Sequence, residues 1–299
     1  EEYGESSQPT ALPWDQIATA RFDVTKSLNE KQVAKLREKY QQRLKSETEM
    51  KTFVDELELF RKARENTTVS LQETKRKKER EEAEKKREAL KKLETEGVIV
   101  HPRPASLEII QDKGLQKIFF RSNDLPTADF MLFENKQEVL QALENNHISM
   151  PFVQKTRKAG YDGRGVQMIQ SAADLVNLFD TPSLAEPKIH LLHEIAVTAS
   201  RNEQGEIQCF DAVLMDFHEG ANMLDLLLYP APIDAEIATQ AKQLAEKLIT
   251  ELGICGLLAV EFLIDKQQRI LINEVAPRPH NSGHQTIESS ITSQYQQHI

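Results

Sequence analysis

The sequence predicts a mixed α/β (α+β) domain over residues 98–299, preceded by a charged, mainly helical segment over residues 1–97. Three observations carry that prediction. Residues 1–97 hold 22 Lys+Arg and 21 Asp+Glu and the remainder holds 16 and 26, so net charge passes from +1 to −10 near Gly97 while charge density halves. Beyond Gly97, short apolar runs of strand length alternate with stretches of helical period. The middle of that region is almost wholly strand-like, which argues for antiparallel pairing and against a repeat of one unit.

Composition bounds the function. A chain of 299 residues, 39% apolar and 28% charged, has room for two domains with cores. A net charge of −9 offers no basic field for nucleic acid. Cys209 and Cys255 lack metal-ligand spacing and read as free thiols of a reducing compartment. No apolar run approaches the ~20 residues of a membrane span, and the acidic, polar first residues do not form a signal peptide. A cytoplasmic protein is the expectation.

In chain order, Pro9, Pro13 and Trp14 belong to an anchored loop, and helices are expected from Ser27 to about Tyr40 and over Glu47 to Lys62. The Lys/Arg/Glu-rich run from Glu73 to Glu96 has only Ala83, Leu90 and Leu93 as an apolar stripe, so it reads as a solvated helix or arm. Val98-Ile99-Val100 reads as a short strand. Pro104 suits the first turn of a helix through Ile110, and a second helix follows to Phe120. Phe130 to Phe133 is a strand, Lys136 to Glu144 a helix, and Pro151 to Lys155 a strand that enters a glycine-rich loop. Ser171 to Phe179 is read as helix; residues 188–199, 206–215 and 223–228 as antiparallel strands; Ala235 to Leu252 as a long amphipathic helix. Strands Leu257–Ile264 and Arg269–Val275 flank the polar turn Asp265-Lys266-Gln267-Gln268.

Three pieces can carry chemistry. In Gly160-Tyr161-Asp162-Gly163-Arg164-Gly165 the glycines let backbone N–H groups approach a phosphate, with Lys155 and Arg164 adding charge. The spacing is neither a P-loop nor a dinucleotide fingerprint, and a plain hairpin tip would look similar. Glu261 and Glu274 each follow apolar strand residues, and the hairpin between them could set the two carboxylates side by side. Such a pair repels unless a proton or cation joins it, and hard oxygen ligands suit Mg²⁺ held with nucleotide phosphates; two solvent-facing glutamates are the competing reading. Finally, Asn273-Glu274-Val275-Ala276-Pro277-Arg278-Pro279-His280-Asn281-Ser282-Gly283-His284 puts a carboxylate, a guanidinium, two imidazoles and a hydroxyl on a backbone constrained by proline and glycine. Arg278 can grip a phosphate or carboxylate bidentately.

Together with Gln111-Asp112-Lys113, Ala259-Val260-Glu261, Thr286-Ile287-Glu288 and the ending Thr292-Ser293-Gln294-Tyr295-Gln296-Gln297-His298, these residues resemble the ATP-grasp superfamily. Within it they look like the N5-carboxyaminoimidazole ribonucleotide synthases, from about Val98 to the end. The resemblance implies ATP-dependent carboxylation of 5-aminoimidazole ribonucleotide with bicarbonate, through carboxyphosphate, in purine synthesis. By the family pattern Lys113 and Lys155 contact ATP phosphates, and Gly160 to Val166, which includes Gly163 and Gly165, forms the loop over them. Glu186-Pro187-Lys188-Ile189 is the adenine hinge, Glu194 meets the ribose, and Glu261 and Glu274 hold Mg²⁺ with Asn273 beside them. Tyr161, Asp162, Arg164, Arg278, His280, Asn281 and Ser282 line the pocket for ribonucleotide and bicarbonate.

The chain also departs from the pattern. Phe217, next to His218, stands where some members place a nucleotide-contacting histidine, and Ala159 where glycine is common. Members begin with a Rossmann-like domain of roughly a hundred residues and end with a small basic domain; the chain is expected to lack both. Over residues 1–97, the run Ala11-Leu12-Pro13-Trp14-Asp15 and the charged helical stretch resemble the region beyond the catalytic domain of tail-specific proteases, with no serine–lysine machinery carried over. The expected partners are therefore small-molecule substrates, with a homodimer as the assembly considered. The competing function is an interaction or protease-accessory arm joined to an inactive nucleotide-binding region.

Overall fold

A computed structural model describes residues 81–158, 165–217 and 224–298, all of them within one compact unit, Arg80–Ile299. The expectations for Trp14, for the helices at 28–40 and 47–62, and for the start of the charged helix lie outside the described residues. Residues 81–95 are helical and largely exposed, as a helix lacking a broad apolar stripe must be. An ion pair from Lys91 to Glu108, at 3.2 Å, links this helix to the one that follows. Val98-Ile99-Val100 is not a strand: it is unpaired extended chain, with Ile99 75% exposed.

The elements positioning the site run in this order. Helix α1 is Pro104–Ile110, α2 Lys113–Ser122, strand β1 Met131–Phe133, and α3 Lys136–Glu144. Strands β2 (Phe152–Thr156) and β3 (Val166–Ile169) form a hairpin around the glycine-rich stretch; a 3-10 helix, Ala172–Asn177, then leads to β4, Ser183–Pro187. Then come β5 (Leu191–Arg201), β6 (Ile207–Cys209), β7 (Val213–Phe217) and β8 (Leu224–Leu228). Helix α4 (Ala235–Glu251) is followed by β9 (Gly256–Asp265) and β10 (Ile270–Ala276). Last are the 3-10 turn Asn281–Gly283 and two short helices, α5 (Thr286–Ser289) and α6 (Gln294–His298).

Two antiparallel sheets result. The smaller has the order β1-β4-β2-β3; the larger runs β10-β9-β5-β7-β8, with β6 on β5. Each buries one face against a helix. In the large sheet Ile195, Val197, Leu258, Val260, Phe262 and Ile272 pack on α4, whose buried Ile237, Ala241, Ala245, Leu248 and Ile249 recur at helical spacing. In the small sheet Phe133, Phe152, Ile169 and Ala185 pack with Val139 and Ala142 of α3. The opposite face of the large sheet carries Glu194, Glu261 and Glu274 beside an apolar cluster of Ala196, Val213 and Met215. Strands β3 and β4 were not read from the sequence, and the expected helix at Ser171–Phe179 is a shorter 3-10 turn, fixed by a Ser171–Asp174 capping box.

Candidate functional site

The site begins with a helix cap. Asp112 is 2% exposed and caps α2 by accepting from the backbone N–H of Gly114 at 2.9 Å and of Leu115 at 3.2 Å. The same carboxylate takes a bidentate ion pair from Arg157, both contacts 2.9 Å, while the Lys113 N–H donates to the Arg157 carbonyl at 2.9 Å. The end of β2 and the start of α2 are thereby locked together. Lys113 is then placed to ion-pair with Glu274 of β10.

Glu274 lies directly opposite Glu261 of β9, so the carboxylates read from sequence as side by side are cross-strand partners. A bulge between Ile272 and Glu274 inserts Asn273. Its Oδ1 accepts from Lys155 Nζ at 2.9 Å, which ties β10 to β2 of the other sheet. Lys155 also pairs with Glu186 of β4 at 2.7 Å. Glu194, on β5, faces the same side as Glu261, because Ala196 is Glu261's partner in the register.

Electrostatics follow from this crowding. Burial, then Glu274 and Glu194, push the Glu261 carboxyl up to about 7. Burial likewise raises Glu194, with Lys155 opposing. Glu274 is half-buried; desolvation opposes its charge, but Lys113 beside it and Lys155 beyond hold it below the usual carboxylate range. Burial disfavours the charge on Lys155, yet Glu186, Glu274 and Glu194 together raise it above an ordinary lysine. Three carboxylates on one face thus share two lysines, and Glu261 is the one pushed up to about 7.

Among the described residues no group of three or more His, Cys, Asp and Glu is arranged to hold a metal ion. Glu261 and Glu274 still fit Mg²⁺. Two hard oxygen donors, one of them pushed up to about 7 by burial and by its neighbours, suit a cation whose other ligands come from phosphates and water.

The hinge residues divide between two roles. Pro187, the last residue of β4, and Lys188 after it are exposed, with Ile189 half-buried, and the Lys188 N–H donates to the Pro151 carbonyl at 3.2 Å. Glu186, by contrast, is 4% exposed, and its side chain is held by Lys155 and Lys117. Lys117 was missed in the sequence. It is as buried as Glu186, donates to Thr127 Oγ1 at 2.6 Å, and Thr127 Oγ1 donates in turn to the Ile272 carbonyl at 2.8 Å. One signal was available: Lys117 lies four residues after Lys113, on the same helix face.

At the acceptor end, Arg278 is exposed and donates to the Pro279 carbonyl at 3.0 Å. His280 Nδ1 lies 3.0 Å from Ser282 Oγ and 3.8 Å from Glu261 Oε1, so this loop returns to the carboxylates. Asn281 is exposed, and its Oδ1 accepts from the Ser282 N–H at 2.9 Å. Of the glycine-rich stretch, Gly160, Tyr161, Asp162, Gly163, Arg164, with Ala159, lie outside the described residues, as does His218. Gly165 adopts φ +84 and its carbonyl accepts from the Thr156 N–H at 2.8 Å; Val166 pairs with Lys155.

The ATP-grasp domain family matches residues 118–295, and the family of the C-terminal domain of tail specific protease matches residues 1–147. The N5-carboxyaminoimidazole ribonucleotide synthase of Synechocystis is 34% identical over 218 residues, 69% of this chain and 54% of that protein. The crystal structure of N5-carboxyaminoimidazole ribonucleotide synthetase from Thermotoga maritima is 37% identical with a TM-score of 0.63, covering 71% of this chain and 54% of that one. That of N5-carboxyaminoimidazole synthase from Aspergillus clavatus, in complex with ADP and 5-aminoimidazole ribonucleotide, is 25% identical with a TM-score of 0.63, covering 71% and 56%. The chain spans about half the length of these relatives. With two opposed antiparallel sheets and a family match over more than half of its residues, the chain belongs to the ATP-grasp domain family.

Proposed function

We propose that the space between the two sheets binds Mg²⁺–ATP and that the chain carries the ATP-dependent carboxylation of 5-aminoimidazole ribonucleotide by bicarbonate. The observation that supports this best is the pairing of Glu261 with Glu274, opposed by Lys113 and Lys155 from the other elements. Lys113 and Lys155 would exchange their carboxylate partners for phosphate oxygens, a charge-for-charge replacement. Glu274 and Glu261 would hold the cation, which neutralises phosphate charge when bound. Pro187, Lys188 and Ile189 offer backbone groups to adenine, and Glu194 an acceptor to ribose. Gly160, Tyr161, Asp162, Gly163, Arg164 and Gly165 are assigned to phosphate and acceptor on sequence alone.

ATP phosphorylates bicarbonate to carboxyphosphate with release of ADP, and the amine of the ribonucleotide then takes the carboxyl group as phosphate leaves. Arg278, His280, Asn281 and Ser282 would orient the acceptor, a reading supported by the approach of His280 to Glu261. The chain's contribution is positioning and charge neutralisation. Calorimetry tests the first half: Mg²⁺–ADP should bind the wild type, and Glu274→Gln should abolish binding. ADP release that requires both ribonucleotide and bicarbonate tests the second half; release indifferent to either sinks the carboxylase reading.

Cytoplasmic location and a homodimer belong to the same proposal. No helix among the described residues is long and apolar enough to cross a membrane. Exposed Leu226 and Leu228 on the edge strand β8 are apolar surface that would support self-association, which sedimentation at two concentrations would test. A second reading, an interaction arm on a nucleotide-binding module, is favoured by the match of residues 1–147 to a protease's C-terminal domain. Nucleotide binding without any acceptor-dependent turnover would favour it.

A further inference from the structure

The ending Ser293-Gln294-Tyr295 has no part in the reactions above, yet its glutamine is fully enclosed beside the loop that carries His280. We propose that Gln294 is a positioning residue that fixes the backbone of His280, and with it the loop that orients the acceptor. This rests on the reading of His280 as an acceptor-side residue.

Gln294 is 0% exposed on α6, which packs against β9 and β5. Its Oε1 accepts from the His280 N–H at 2.9 Å, and its Nε2 donates to the His280 carbonyl at 2.8 Å. Both backbone groups of one residue are thus satisfied by one side chain. At neutral pH neither a carboxylate nor an apolar side chain of this size can do that, since a donor and an acceptor must sit on one planar group. Gln294 is itself anchored: its N–H donates to Thr286 Oγ1 at 2.9 Å, and that hydroxyl donates to the Gly283 carbonyl at 2.6 Å.

Gly283 completes the arrangement. A Cβ there would clash with the Gln294 amide, 2.7 Å from its Cδ, so a side chain at this position would push the amide off its partners. With its backbone pinned, His280 holds Nδ1 at 3.0 Å from Ser282 Oγ and 3.8 Å from Glu261. The terminal segment therefore acts on the site without entering it.

The test compares Gln294→Met and Gln294→Glu in the full chain. Amide hydrogen exchange at His280 should accelerate roughly ten-fold in Gln294→Met, as loss of a buried hydrogen bond implies, with β9 and β10 unchanged. In Gln294→Glu the carboxylate still accepts from the His280 N–H but cannot donate to its carbonyl, so exchange there should fall between wild type and Gln294→Met. Mg²⁺–ADP affinity should change less than the KM for the ribonucleotide, because Gln294 bonds to His280 and to neither Glu261 nor Glu274. The KM for the ribonucleotide should rise roughly ten-fold or more, the usual size of a misplacement effect. Unchanged exchange at His280, or nucleotide affinity lost in step with the acceptor, would overturn the proposal. A wild type that ignores the ribonucleotide would instead sink the carboxylase reading, and exchange at His280 would still decide the role of Gln294.

Discussion

Glu261 and Lys117 show how differently two buried charges can be read. The partnership of Glu261 with Glu274 was legible, because both follow apolar strand residues on either side of a short turn. Its raised pKa was legible only in part: the repulsion from Glu274 was, whereas its burial, the largest cause, and Glu194 arriving from a third strand were not. The consequence can be measured. An ordinary glutamate titrates near 4.5, and Glu261 in the folded chain near 7, so between these values the unfolded state binds fewer protons. Stability of the metal-free protein should therefore fall as pH rises from about 4.5 through about 7. Glu261→Gln should flatten that part of the pH–Tm profile, and Glu274→Gln should move the transition to lower pH by removing the repelling charge. Lys117 gave a weaker signal, because a lysine in an amphipathic helix usually faces water. Burial lowers its pKa and Glu186 opposes that shift. Lys117→Met should cost about 3 kcal/mol in chemical denaturation by leaving Glu186 with one cation fewer. An effect indistinguishable from a surface lysine would show that Lys155 alone suffices.

Elements with a clear period were legible and those without one were not. Helix α3 was read to the residue, and α4 nearly so, because their apolar positions recur at helical spacing. Strand β4 buries four successive residues, so it has no alternation to find, and β3 is four residues long. Both lie in the sheet that carries Lys155, and for that reason the side-chain role of Glu186 stayed hidden behind its expected role in the hinge. Helix α2 is the element on which the site depends most, since its first turn delivers Lys113 and its second Lys117. Asp112→Asn keeps a capping oxygen but loses the ionic part of the Arg157 pair; Asp112→Ala loses both. The expected order of thermal stability is wild type, then Asn, then Ala, with Ala losing about 1–2 kcal/mol from the cap alone. Equal stability of the two variants would mean that the ion pair, not the cap, holds α2 in place.

For the whole unit, the two sheets meet through few polar links: Lys155 to Asn273, and Lys117 through Thr127 to Ile272. A ligand spanning that gap should stabilise both sheets at once. At a hundred times its Kd, a ligand of the native state adds about 2.7 kcal/mol. For a domain of this size each kcal/mol raises Tm by roughly 2–4 °C, so Mg²⁺–ADP should raise the transition by roughly 5–10 °C. Mg²⁺ alone should do little, because two glutamates give it too few ligands. ADP alone should do less than the pair, because its phosphates would then face Glu274 and Glu261 without a cation between them. Lys155→Ala and Glu274→Gln should each lose most of the shift. Arg278→Ala should keep it, being exposed at the acceptor end, while losing the response to ribonucleotide. An equal shift for wild type and Glu274→Gln would place the nucleotide elsewhere and undo the assignment of the paired carboxylates.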